Sequence, residues 1–73
     1  MRIYSITDIG RAEASSPKYH VSDAMSVLYY LRRRNNGTAS DDMIAHSKFA
    51  GDMNRTKVAL AVCKRAGAVR LVA

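Results

Sequence analysis

With 73 residues the chain has room for one domain, and a domain this short buries only about 60% of the surface its unfolded chain exposes. A hydrophobic fraction of 48% fits a globular fold and argues against disorder, while a single cysteine excludes a disulfide-stapled secreted scaffold. The net charge is +6, from 12 lysines and arginines against 6 acids, and its placement says more than its size. Over residues 1–31, Arg2, Arg11 and Lys18 balance Asp8, Glu13 and Asp23, so the whole excess lies between Arg32 and Ala73. A basic half of this kind either attracts polyanions or merely keeps the protein in solution. No stretch approaches the roughly 18 apolar residues of a spanning helix, and Met1 to Thr7 lacks the apolar core of a signal peptide. The expected setting is therefore the cytoplasm, with no membrane partner.

The first element is a strand: Ile3-Tyr4-Ser5-Ile6-Thr7 is short, β-branched and aromatic, with Tyr4 and Ile6 on one face. Thr7-Asp8 then starts a short turn or helix that runs to about Ala14 and is ended by Ser15-Ser16-Pro17. A long helix begins at Ser22 as N-cap, with Asp23 complementing the positive end of the helix dipole. Ala24, Met25, Leu28 and Leu31 recur at helical spacing as its buried stripe, and Asn35-Asn36-Gly37 is expected to stop it through a left-handed glycine cap. Arg32, Arg33 and Arg34 fall in its last turn, where cations suit the negative helix end whether or not they also meet DNA.

A shorter helix follows, capped by Thr38 or Ser40, with Asp41 and Asp42 in its first turn and Ile44, Ala45 and Phe49 on its apolar side. Ala50-Gly51 breaks it. Asp52 caps a third helix, Met53 to Ala66, which ends at Gly67, and Ala68 to Val72 is a closing strand whose natural partner is Ile3 to Thr7. Five of the six acids, Asp8, Asp23, Asp41, Asp42 and Asp52, sit at helix starts, which leaves the basic residues with little local opposition.

Two helices joined by a tight glycine-containing turn, the second one basic, make a helix-turn-helix pattern over residues 40–67. At 100° per residue, Thr56, Ala59, Leu60 and Cys63 gather on one side of the third helix for packing. Asn54, Lys57, Val58, Ala61 and Arg65 gather on the other, flanked by Arg55 and Lys64. That outer face suits the major groove: Asn54 can pair with adenine, Lys57 can donate to guanine, Val58 can touch a thymine methyl, and Ala61 permits close approach. Arg55, Lys64 and Arg65 suit phosphates, which fix register without reading sequence. A merely solvated amphipathic helix is the plainer reading of such a face taken alone.

The stretch Thr38-Ala-Ser-Asp-Asp-Met-Ile-Ala45, then Gly51-Asp52, Val58-Ala-Leu60 and Lys64-Arg-Ala-Gly67-Ala-Val-Arg70, resembles the winged-helix transcription regulators of prokaryotes and archaea. The resemblance covers about half the chain. It implies a mainly α fold with a small β component, a single winged-helix-like domain over residues 1–73 built on three helices, and binding of double-stranded DNA in transcription regulation. Tyr4-Ser-Ile6-Thr7-Asp-Ile-Gly10-Arg11 resembles a segment that follows the wing in such regulators, yet here it precedes the helices. The expectation is a reduced wing with the two terminal strands paired; a domain cut from a longer chain is the other reading.

Enzymatic activity is not expected. His20, His46 and Cys63 lack ligand spacing, no phosphate loop or nucleophile motif is present, and no cofactor or metal is expected. Cys63 reads as a small core residue and His46 as a surface one. Tyr29 and Tyr30 are adjacent on one helix and cannot both enter the same core, so one is expected partly exposed, either with its hydroxyl in water or as a homodimer contact. The alternatives to DNA are a protein-interaction module within a larger assembly and, less favoured for want of stacking aromatics on the third helix, RNA.

Overall fold

Four residues, Ile3–Ile6, form β1, and everything else in the fold is arranged around this strand in the computed structural model, which describes residues 1–16 and 21–73. The chain continues through α1 (Asp8–Ala14), α2 (Asp23–Arg33), β2 (Thr38–Ser40), α3 (Asp41–Lys48), α4 (Met53–Arg65) and β3 (Val69–Leu71). Among the described residues the result is a mainly helical domain with four helices, not the three expected because Asp8–Ala14 is a helix of its own, and one antiparallel sheet of order β2-β1-β3. In the pairing of the terminal strands Tyr4 faces Leu71 and Ile6 faces Val69, and on the other side of β1 Tyr4 faces Ala39. No helix among the described residues is long and apolar enough to cross a membrane.

Local chemistry sets the helix starts. The side chains of Thr7, Ser22, Ser40 and Asp52 each accept a hydrogen bond from a backbone N–H of the first turn, on Gly10, Met25, Met43 and Arg55 respectively. Each such cap satisfies a donor that the helix cannot, and its loss costs about 1 kcal/mol. Asp8, Asp23, Asp41 and Asp42 occupy first turns, so the acids are used where the sequence pattern puts them. Between α3 and α4, Ala50 and Gly51 both take left-handed backbone angles (φ 51° and 84°), and the Gly51 N–H donates to the Ala45 carbonyl. Only Gly51 adopts that conformation without a steric penalty. Gly67 (φ 75°) ends α4, and the Ala68 N–H closes the turn on the Cys63 carbonyl.

Three expectations need correction. The tripeptide Thr38–Ser40 is not merely a cap but a strand, held because the Ile6 N–H donates to the Gly37 carbonyl and β2 runs along β1. The long helix ends at Arg33, with Arg34 already extended, so Gly37 (φ 68°) serves the turn into β2 rather than the helix cap. Its buried residues are Val27, Leu28 and Leu31, with Ala24 and Met25 only half-buried; Val27, at 0% exposure, lies outside the expected stripe. Pro17, Lys18 and His20 lie outside the described residues.

The core fills the space between the sheet and the helices. Leu31, Ile44, Val27, Thr56 and Cys63 are its fully enclosed side chains, joined by Tyr4, Ile6, Phe49, Leu60 and Val69. Each large aliphatic group buried there contributes about 1.5–3 kcal/mol. Thr56 is tolerated because its hydroxyl donates to the Asp52 carbonyl at 2.8 Å. On the other flank α1 lies so close to the start of β3 that a β-carbon on Gly10 would collide with the Ala68 carbonyl oxygen, which requires glycine there.

Candidate nucleic-acid interface

Burial divides α4 as its periodicity dictates. Thr56, Ala59, Leu60 and Cys63 are buried, while Asn54, Arg55, Lys57, Val58, Ala61, Lys64 and Arg65 are all exposed. Val58, at 66% exposure, lies in the middle of the outer face. Asn54, Lys57, Val58, Ala61 and Arg65 therefore share one accessible surface spanning about three turns of helix.

Arg55 departs from the rest. Its guanidinium forms a two-pronged pair with Asp23, at 2.7 and 2.8 Å, and lies 5.4 Å from the centre of the Phe49 ring. This hydrogen bonding, more than the charge itself, holds the Asp23 carboxyl below its ordinary range and raises the Arg55 guanidinium. Arg55 thus ties the start of α4 to the start of α2 and to the preceding turn. It is the only ion pair among the described residues, so Lys57, Lys64 and Arg65 have no acid bound to them there.

The arginines at the end of α2 are mostly occupied. Arg32 donates to the Ala14 carbonyl at 2.9 Å, which closes the end of α1, and half-buried Arg34 donates to the Thr38 carbonyl at 3.1 Å and sits over the Tyr30 ring. Among the described residues only Arg33 of the three makes no such contact, although Arg32 is exposed as well. Tyr29 and Tyr30 are both half-buried, and the Tyr29 hydroxyl donates to the Ser16 carbonyl, so the pair is used within the chain. His46 is exposed on α3. Cys63 is enclosed, donates weakly to the Ala24 carbonyl and has its thiol pushed up by burial to about 11, which keeps it protonated and unreactive at neutral pH.

Sequence reasoning missed what borders α4 on its other side. A groove runs between α4 and the start of β1, lined by Arg2, Tyr4, Asp41, Lys57, Ala61 and Lys64 among others. The Arg2 backbone anchors that end of the strand: its N–H lies 3.3 Å from the Asp41 carboxylate and its carbonyl accepts from the Asp41 N–H. Nothing in the local sequence brings Arg2 to α4, because the contact depends on β1 lying in the middle of the sheet. No protein-family model, curated protein or solved structure matches the chain.

Proposed function

We propose that this domain binds double-stranded DNA by laying the outer face of α4 in the major groove, as a transcription regulator of winged-helix type. The observation that carries the reading is a helix whose outer face is exposed, holds Asn54, Lys57, Val58, Ala61 and Arg65 together, and has no acid among the described residues paired to those cations. A helix is one of the few elements that fit the major groove, and amide, ammonium and methyl groups are what its base edges recognise. Lys64 and Arg65 act on phosphates, whereas Arg55 contributes by fixing the angle at which α4 leaves the turn.

The architecture supports the winged-helix part of the proposal in one specific way. The segment Tyr4 to Arg11, displaced in sequence relative to those regulators, is adjacent in space to β3, since β1 pairs with β3 directly. In those regulators the resembling segment follows the wing, whereas here it reaches β3 from the other end of the chain.

Binding of wild type and Asn54→Ala/Arg65→Ala to duplex DNA, followed across a salt series, tests the function. Wild-type affinity is expected to fall steeply with salt as counterions are released, and the double substitution to lower it by roughly tenfold or more. Weak, salt-insensitive binding that the substitutions leave unchanged would overturn the reading.

A further inference from the structure

The groove beside α4 contains a polar group that neither the fold nor the outer face of α4 uses. Tyr4 is only 9% exposed and its ring belongs to the core, yet it also lines the groove. Among the described residues every side-chain nitrogen or oxygen fully shielded from solvent has a hydrogen-bond partner. Among the described residues the Tyr4 hydroxyl has no such partner, so the accessible remnant of this residue, which lines the groove, includes its hydroxyl. An otherwise buried tyrosine normally spends its hydroxyl on a partner.

Around that hydroxyl the groove is cationic. Arg2 lines the groove on the strand side, and Lys57 and Lys64 line it on the helix side, seven residues apart and so about 10 Å along the axis. The one acid present, Asp41, is turned to structure: its carboxylate accepts from the backbone N–H groups of Arg2 and Asp42. Its charge is thereby partly answered by donors, and three cations remain against it. Ala61, on the same wall, leaves the entrance open.

We infer that this groove is a phosphoryl-binding site, in which the Tyr4 hydroxyl and the Arg2 guanidinium hold one phosphate group between Lys57 and Lys64. The tyrosine donates a hydrogen bond, the arginine binds with a planar fork, and the lysines supply charge. The site deepens the proposed function and rests on it for the source of the phosphate, which is the DNA backbone strand running beside α4. The DNA interface then has two sides, the helix that reads bases and the start of β1 that grips the backbone, and its position fixes the register of α4.

Tyr4→Phe and Arg2→Ala test the site. Phenylalanine keeps the ring in the core and removes only the hydroxyl, and the Arg2 contacts to Asp41 are made by backbone atoms, so both variants are expected to melt like wild type. Each is expected to weaken duplex binding by roughly two- to tenfold, equally for all sequences, and Arg2→Ala to reduce the log–log salt slope by about 1. In a parallel arm, inorganic phosphate is titrated against the protein with the ring signals of Tyr4 followed by NMR. If duplex binding is untouched by both variants but phosphate shifts Tyr4 in wild type and not in Arg2→Ala, the site stands and its phosphate is a free one. If neither arm responds, the inference is overturned even where Asn54→Ala/Arg65→Ala confirms DNA binding through α4. A wild type that binds neither duplex nor phosphate overturns both.

Discussion

Two stretches of this chain carry similar positive charge and use it in opposite ways. At the end of α2, Arg32 and Arg34 are spent on backbone carbonyls, and Arg34 also covers the Tyr30 ring. On α4, Lys57, Lys64 and Arg65 stand in solvent with no acid held against them among the described residues. Each stretch has one exception: Arg33 makes no such contact among the described residues on the first, and Arg55 is tied to Asp23 on the second. What separates the two is the supply of acceptors. The end of α2 meets the unsatisfied carbonyls of α1 and the turn into β2, whereas Lys57, Lys64 and Arg65 have no hydrogen-bonded or ion-paired acceptor among the described residues. Position in a run therefore says less about which cations stay unpaired than do the acceptors the fold sets beside them.

The comparison makes predictions, beginning with its largest effect. Arg34→Ala removes a charged hydrogen bond from a half-buried site together with a cation–π contact. It is expected to cost about 2 kcal/mol, visible as a fall of roughly 10 °C in melting temperature, with duplex affinity held within about threefold. Arg32→Ala uncaps the end of α1 and is expected to cost about 1 kcal/mol in the same assay. A melting temperature unmoved by both would erase the distinction between the two regions. Arg33→Ala should leave stability within about 0.5 kcal/mol of wild type, as for exposed side chains generally. Should it nevertheless weaken DNA binding as much as Arg65→Ala does, the end of α2 belongs to the interface after all.

The smallest effect concerns acid. The folded-state carboxyl of Asp23 is lowered by Arg55 from its ordinary value of 3.8, so its contribution is fully present above that value and is lost as pH falls through the lowered one. Removing the partner should make Arg55→Ala less sensitive to acid than wild type below about pH 4, measured as the change in urea midpoint between pH 5 and 2.5. Because the pair is exposed, the difference is small and should shrink further in high salt.

Much of the helical framework was legible residue by residue. The caps at Ser22, Ser40 and Asp52, the first-turn acids and the buried side of α4 follow from contacts within about four residues, which a sequence displays directly. The pairing of β1 with β3 was legible too, since two lone strands would leave backbone groups unsatisfied. β2 was not. Three residues of Thr-Ala-Ser have no strand signature of their own, and they pair only because β1 already lies beside them. Val27 escaped the expected stripe because α2 is packed by α1, α3 and α4 together, so its buried arc is wider than a single seam.

For the candidate site the division is sharper. Sequence alone determined which side chains α4 turns outward, because helical periodicity is a property of the local chain. Only the tertiary structure decided that Arg55 is bound to Asp23, 32 residues away, and that Arg2 and Tyr4 stand across a groove from Lys57 and Lys64. Those meetings depend on which strand occupies the middle of the sheet and on how the helices pack over it. That choice is made by the burial of the whole core at once, and no local pattern encodes it.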